Sequence, residues 1–477
     1  MGSAEGSAVV VGAGPNGLAG AITLARAGRA VTVLEGAETL GGGCRSEQLT
    51  LPGFVHDTCS TVHALAMVSP LLSSLPLDQY GLELVQPEVP LAHPLDDGTA
   101  VLLERSVART ASGLGDDERA YRRLVEPLLG HADELMEAIL GPLRVPRHPL
   151  VLARFGLTAL RSAAGLAHSR FEGERARALI AGCSAHSMLS LQTPSSAAVG
   201  VILALSAHHV GWPVARGGSQ NLANALADHL RSLGGQIETG HRVESLAELD
   251  GFGPALLDVT PRQLVSLAGD RLPSRYVRRL EKFRYGPGVF KLDWALDGPI
   301  PWTAPEVSQA GTVHLGGTLE DIAASEEAAV SGTHHDRPFV LLVQSSLFDP
   351  TRAPDGKHTV WAYCHVPHGS TRDMTNAIES QVERFAPGFR DLIIGRSAMG
   401  PAAMEAHNPN YVGGDINGGV QDLRQLFTRP VARLDPYSTP LRDVYLCSSS
   451  TPPGGGVHGM SGYWAAQSVL KRAHRRG

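Results

Sequence analysis

The first residues whose types and spacing could do chemistry lie between Val9 and Glu35, where the chain reads VVVGAGPNGLAGAITLARAGRAVTVLE. An apolar run, glycines at 12, 14 and 17, a helix-forming stretch and a carboxylate closing a second apolar run are the parts of a dinucleotide site. Gly12 permits the tight turn. Gly14 lets backbone approach a pyrophosphate. Gly17 lets the helix pack close to the strand. Pro15 and Asn16 open the helix, whose free N–H groups and positive dipole end favour phosphate. Glu35 stands where a carboxylate holds a ribose hydroxyl, which argues against the 2′-phosphate of NADP. The motif does not separate FAD from NAD.

The remaining reactive side chains form no competing constellation. Cys44, Cys59, Cys183, Cys364 and Cys447 contain no C-x-x-C pair, so neither a dithiol centre nor a cysteine zinc site is expected. The 20 histidines include no H-E-x-x-H, and no metal site is expected. His334-His335-Asp336 reads as a solvated loop. His186 and His208-His209 lie near the end of an apolar stretch and read as satisfied core or surface histidines, with approach to a substrate as the alternative. No Ser-His-Asp arrangement or P-loop stands out. Lysine is scarce, only Lys282, Lys291, Lys357 and Lys471, so each one merits inspection. A net charge of -6 carries no nucleic-acid footprint.

These groups need elements to position them. A chain of 477 residues exceeds one compact core, so two domains are expected. The polar lead at Met1–Ser7 lacks a basic region and cleavage site, and no run of about 18 apolar residues marks a membrane span. A reduced, cytoplasmic setting fits best. After the first βαβ unit come three glycines, Gly41–Gly43. Residues 76–112 alternate as a β-hairpin region, and residues 116–210 read as an apolar helical block. A helix at 220–233 and strands at 236–243 and 254–260 follow. Strands are expected at 288–296, 312–316, 338–345 and 359–366, interrupted by a helix at 374–386. A strand at 444–447 leads into Ser-Ser-Ser-Thr-Pro-Pro-Gly-Gly-Gly-Val-His-Gly-Met and a last helix. With no linker visible, the two domains are expected to interleave: 1–75, 211–285 and 426–477 as one, 76–210 and 286–425 as the other.

Four segments spread over the chain resemble the phytoene desaturase branch of the FAD-dependent amine-oxidase-like superfamily. The first is the fingerprint with Glu35. The second is Gly41-Gly42 with Arg45-Ser46, similar to the family's G-G-x-x-x-[ST] element beside the FAD pyrophosphate. Gly43 stands where many members carry arginine, so Arg45 is expected to supply the charge. Asp57 falls in the family's F-D-x-G stretch, and Cys59 replaces its glycine. The third is Gly217-Gly218 with His241–Glu244, in which the resemblance assigns Val243 a backbone contact to adenine. The fourth is Leu446–Ala466, whose Gly454–Gly459 run resembles the family's flavin element. There Ser449 stands where many relatives have an aspartate for the ribityl chain. Gly42, Gly455, Gly456, Val457, Gly459 and Met460 complete the expected FAD contacts. His458 sits inside that element as a candidate for cofactor contact or chemistry. Lys291, in GPGVFKLDW, matches the lysine that amine-oxidase relatives place by flavin N5. The alternative for Lys291 is an exposed strand residue paired with Asp293.

The resemblance implies an α/β (α+β mixed) architecture, with a Rossmann-type FAD-binding domain interleaved with a substrate domain of a mixed sheet and a helical block. It implies an FAD-dependent oxidoreductase moving hydride from a lipophilic C–H to flavin N5, reoxidised by oxygen or a quinone. Redox-neutral polyene isomerisation or saturation, amine oxidation and a non-catalytic flavin-bearing binding protein remain open on the same residues. No nucleic-acid partner is expected. Peripheral membrane contact and a homodimer are compatible with the sequence.

Overall fold

The computed structural model describes residues 7–474, so the expectation for the polar lead falls largely outside it. Five short strands form a parallel sheet in the order Val444–Leu446, Ala255–Leu257, Ser7–Val11, Ala30–Leu34 and Gln236–Glu238. Parallel neighbours require crossovers, and their strands are buried on both faces. Val9 and Val10 are accordingly sealed from solvent. The helices Pro15–Arg26, Gln220–Ser232 and Met460–His474 supply apolar side chains to one face. Pro261–Ala268 and Ser274–Leu280 cover the other.

The first and last helices meet without intervening side chains. A Cβ on Gly462 would lie 1.7 Å from the carbonyl oxygen of Asn16, and one on Gly20 would lie 3.2 Å from that of Gly462. This close approach brings the N-terminal glycine turn beside the C-terminal glycine run.

The second sheet has seven strands in the order Ile393–Met399, Gly288–Leu296, His358–Val366, Val340–Val343, Ala310–Leu315, Val89–Pro94 and Ala100–Leu103. Alternation gives it two unlike faces. Leu292, Trp294, Val313, Leu342 and Ala362 point outward into a core shared with the helix Thr375–Phe385. The register aligns Thr312, Val343, Trp361 and Asp293 in one row of the other face. His314, Leu341, Tyr363 and Lys291 form the next row. This face looks toward the helical block, which contains Glu118–Leu129, Pro149–Ala159, Glu174–Ala185 and Ser196–His209.

The strand expected at 288–296 and the helix expected near 374–386 are present. The strand expected over 236–243 stops at Glu238, because it is an edge strand and Gly240 turns the chain at φ +68°. A helix, Leu319–Ser331, occupies part of the stretch read as strand-dominated. Its start signal is a capping box of Thr318 and Asp321, with Gly332 ending it at φ +87°. Ile393–Met399 adds an edge strand that the sequence reading omitted.

No single helix among the described residues is long and apolar enough to cross a membrane, although the bent pair Pro149–Ala159 and Ala163–Arg170 meets the length and composition together.

Gly462→Ala is expected to destabilise the protein by about 3 kcal/mol or more, since neither backbone can yield to the new methyl. Gly156→Ala, with nothing within 4 Å of the new Cβ, is expected to be neutral or to stabilise by up to about 1 kcal/mol. Thermal unfolding of the two variants checks both.

Candidate functional site

A cavity of about 1260 Å³ runs between the two sheets and under the helical block. Gly12, Gly14, Pro15 and Asn16 line it, as do Glu35, Gly42, Arg45 and Val243. Ser449, Gly455, Gly456, Val457 and His458 line its middle. Apart from Val243, these two groups come from opposite ends of the chain, and the packing of the first and last helices joins them.

At one end the Glu35 carboxylate accepts from the Ala13 N–H at 2.7 Å and the Ala37 N–H at 2.9 Å. Arg45 Nη2 lies 3.9 Å from it. The His241 N–H donates to the Glu35 carbonyl at 2.8 Å, which brings Val243 to the same end. Gly42 approaches Gly14 so closely that a Cβ would stand 3.1 Å from the Gly14 Cα. At the other glycine run, a Cβ on Gly455 would meet Asn417 backbone at 2.8 Å. The cradle is therefore backbone, shaped by residues that lack side chains.

Five expected site residues do not line the cavity. Gly17 lies behind the turn, where a Cβ would stand 2.0 Å from the Gly12 carbonyl oxygen. Gly459 turns at φ +67° against Ala19, and Met460 packs into the core while its N–H donates to His458 Nδ1 at 3.0 Å. Ser46 is committed elsewhere: its hydroxyl donates to Asp57 Oδ1 at 2.6 Å and accepts from the Gln220 N–H at 3.1 Å. Lys291 is buried, 1 % exposed, and ion-paired to Asp293. The exposed strand position considered for it is thus corrected: the two residues share the inner face of a covered sheet. Asp293 in turn lies 3.5 Å from His56 Nδ1. Burial and the Lys291 ammonium push the His56 imidazole down to about 3, so it is neutral.

A buried charge knot sets the Gly217-Gly218 turn against this region. Arg352 Nη1 donates to Asp57 at 3.0 Å, and its Nε donates to Asp349 at 2.9 Å. Asp57 also accepts from the Ser219 N–H, and Asp349 from the Gly217 N–H. Burial alone would raise the Asp57 pKa. The Arg352 guanidinium and the hydrogen bonds outweigh it and hold the group below its ordinary value. Sequence reasoning passed over Arg352, whose three partners, Asp57, Asp349 and the Ala215 carbonyl, include one 295 positions away.

Two further residues were missed. Asp258 ends the Ala255–Leu257 strand, lines the cavity and accepts from the Gly17 N–H at 3.1 Å. Arg429 is fully buried and donates to the carbonyls of Gly418 and Ser449 at 2.7 and 2.8 Å. Its Nε and Nη1 have no protein partner, and Nη1 lies 3.0 Å from where a Gly454 Cβ would stand. Burial lowers its pKa to about 10, which leaves it charged at neutral pH. Asn16 Oδ1, Ser450 Oγ and His458 Nε2 are likewise buried without partners. Because His458 Nδ1 accepts the Met460 N–H, the ring proton of the neutral form sits on Nε2. Burial lowers the His458 pKa to about 4. A bound group with acceptors near Arg429 and His458, and a donor near Asn16, would complete all of these atoms. An elongated dinucleotide with a polar ring system has that donor and acceptor set.

Beyond the glycine run the lining turns apolar, with Leu152, Phe155, Ile202, Leu203, Leu341 and Val343. Trp361 and Tyr363 stand edge to face at 5.2 Å in its wall. His186 also lines this half, and its Nε2 lies 2.9 Å from His314 Nε2. Burial lowers His186 to about 3, so it faces the cavity as a neutral ring. Leu143 and Leu160 line the cavity yet are 73 % and 55 % exposed, which makes them part of its rim.

Comparison with known proteins agrees with this geometry. Residues 10–74 match the family described as NAD(P)-binding Rossmann-like domain. The chain is homologous over its length to pyridine nucleotide-disulfide oxidoreductase domain-containing protein 2 of Rattus norvegicus, at 27 % identity over 98 % of this chain and 94 % of that protein. Phytoene desaturase (neurosporene-forming) of Rhodobacter capsulatus is 24 % identical over 97 % of this chain and 94 % of its own. A triple mutant of putrescine oxidase shares the fold, with a TM-score of 0.61 at 17 % identity over 99 % of both chains.

Arg352→Leu leaves Asp57 and Asp349 buried without their cation and is expected to cost about 3–5 kcal/mol at neutral pH. Because the folded state depresses the Asp57 pKa, its contribution is present above about pH 4 and is lost as pH falls through the lower folded value. The deficit of the variant should therefore shrink in acid, as urea unfolding at pH 7 and pH 3 would register.

Proposed function

We propose that the chain is an FAD-dependent oxidoreductase that acts on a lipophilic small molecule. The observation that carries the reading is one cavity whose lining passes from a glycine-built dinucleotide cradle into an apolar chamber without interruption. FAD, when bound, supplies the acceptor for a hydride from a substrate C–H and passes the electrons to oxygen or a quinone. The residues of the chain do the rest. Gly12, Gly14 and Gly42 admit backbone to the pyrophosphate, and Glu35 takes the ribose. Val243 meets the adenine by its backbone. The helix beginning at Met460 directs its positive end toward the ring system, where negative charge develops on reduction. Arg429 and His458 Nε2 offer buried donors beside Ser449 and Gly455.

The apolar chamber excludes water and orients an apolar skeleton, and His186 gives it one neutral polar anchor. Proton movement at the substrate falls to His186 or water, because the Lys291 ammonium is paired to Asp293 outside the lining. Amine oxidation is the second reading, and the Trp361–Tyr363 pair favours it by offering aromatic faces to a cation. Against it, the carboxylates among the lining residues are Glu35, Glu244 and Asp258, and Glu35 and Glu244 flank the adenine position rather than the chamber. An ammonium entering the chamber would find no counter-charge there.

The exposed residues next in sequence to the rim support delivery from a lipid surface. Val145, Leu150 and Leu157 are 91 %, 84 % and 79 % exposed, and the exposed Arg147 and Arg154 stand among them. An apolar face edged by arginine suits an anionic membrane interface.

The purified protein is expected to show an oxidised-flavin spectrum, bleached anaerobically by isoprenoid or lipid-like substrates and left unchanged by alkyl amines. No flavin band after incubation with FAD would sink the reading, and a bound flavin that nothing reduces would favour a binding protein. His186→Phe is expected to slow bleaching about tenfold at unchanged flavin content, the loss of one hydrogen bond. Leu150→Glu with Leu157→Glu should release the protein from anionic vesicles in a flotation assay and leave flavin content unaltered.

A further inference from the structure

The fingerprint accounts for the glycines and for Glu35, but not for the acid that faces them. Asp258 leaves the sheet beside the first strand, its N–H donating to the Val11 carbonyl at 2.8 Å. Its side chain then passes under the turn. The Asp258 Cβ lies 3.1 Å from where a Gly12 Cβ would stand, and Oδ2 lies 3.1 Å from the corresponding point at Gly14. The same oxygen accepts from the Gly17 N–H at 3.1 Å. Oδ1 has no hydrogen bond to the protein among the described residues. A carboxyl group thus occupies the helix N-terminus at which a pyrophosphate would bind, and it borders the cavity that would hold it.

The surroundings offer this group no cation. No arginine or lysine forms an ion pair with it among the described residues, and Arg45 lies instead near Glu35. Glu35 adds a second negative charge from the adjoining strand end. On the other side, Cys447 follows the Val444–Leu446 strand as a buried neutral thiol, its pKa pushed far up by burial and by Asp258 itself. Asn410 reaches only the backbone carbonyl, at 2.9 Å. On the helix that follows, Arg262 is committed to Glu405. An ionised Asp258 beside a doubly charged pyrophosphate would leave like charges facing each other in a site that excludes water.

We infer that Asp258 enters the cofactor site as a neutral carboxylic acid, keeping its bond from Gly17 and donating its own proton to a phosphate oxygen of FAD, so that the dinucleotide binds together with one proton. This rests on the FAD reading above. Burial, opposed by the Gly17 N–H and aided by Glu35, already brings the free group to about 7. The pyrophosphate disfavours the charged form further, so the bound pKa lies above the free one. The sign follows: below pH 7 the acid is already protonated and binding costs no proton uptake. Above pH 7 each bound FAD must draw one proton from solution, and affinity falls about tenfold per pH unit.

The test uses flavin-stripped protein titrated with FAD and followed by flavin fluorescence from pH 6 to pH 9. The dissociation constant is expected to stay level up to about pH 7 and then weaken about tenfold per pH unit until the bound acid itself ionises. Asp258→Asn keeps a donor and an acceptor without a charge, and should bind as tightly as wild type at pH 6 and hold that affinity at pH 9. Calorimetry of wild type at pH 8 in two buffers of different ionisation enthalpy should register uptake of close to one proton per FAD, a readout that needs no variant. A level wild-type profile with no proton uptake would overturn the inference and leave the FAD reading standing. So would an asparagine variant that binds tenfold more weakly at pH 6, which would mark the ionised carboxylate as the form that FAD requires. Failure of folded wild type to bind FAD even at pH 6 would overturn both.

Discussion

The whole site depends on two helices approaching closer than side chains allow. The first helix carries the glycine turn and the last one begins at the second glycine run. Their contact is backbone against backbone, Gly462 against the Asn16 carbonyl. Interiors pack near crystal density, so a contact of this kind tolerates little drift. It holds Gly14 and Asn16 in one wall with Ser449 and Gly455, residues separated by more than four hundred positions. A cradle made of backbone has a further property: its donors and acceptors are fixed by the fold and carry no rotamer freedom.

The second sheet solves a different problem. Its outer face is a conventional apolar core, but its inner face interleaves Leu341 and Val343 with Thr312, His314, Lys291 and Asp293. Such groups are costly to bury unless they satisfy one another. Two pairs form, Lys291 with Asp293 and His314 with His186, while the Thr312 hydroxyl is buried without a protein partner at the cavity wall. The pairing keeps full charges in the sheet and leaves neutral or aromatic groups, His186, Trp361 and Tyr363, to line the chamber. A wall of that composition suits a large apolar guest and holds no carboxylate to neutralise a cation.

The sequence announced those parts of the fold that local chemistry determines. The strand at Gly288–Leu296 was legible because its apolar run is bounded by Gly-Pro-Gly and Asp-Gly. The fingerprint and the Gly454–Gly459 run were legible because glycine has few other reasons to recur at such spacing. The helix Leu319–Ser331 had a readable capping box at Thr318, masked by the surrounding strands. What stayed hidden was partnership across distance. Nothing near Ser46 says that Asp57 and the start of the Gln220–Ser232 helix will claim its hydroxyl. Nothing near Lys291 says that a helical block will cover its strand. Asp258 looked like the end of a buried strand, and only the fold shows that it ends beneath the glycine turn. Local spacing reports backbone geometry well, whereas the charge state of a buried group is set by neighbours that the chain reaches much later.

The order of strands in the parallel sheet has a consequence for how the chain is made. The central strand, Ser7–Val11, precedes its neighbour Ala255–Leu257 by more than two hundred residues, and that strand's other neighbour ends at Leu446. Until those later elements are made, the nascent chain therefore carries an apolar strand edge and a helix without its glycine-matched partner. Only the strand Val444–Leu446 and the helix Met460–His474 close the layer. A growing polypeptide in that state needs shielding, by chaperones or by its own helical block, until those two elements emerge. A product ending shortly before residue 440 would keep the half of the cradle at Gly12, Gly14 and Gly42 and lack the half at Ser449–His458 that faces it.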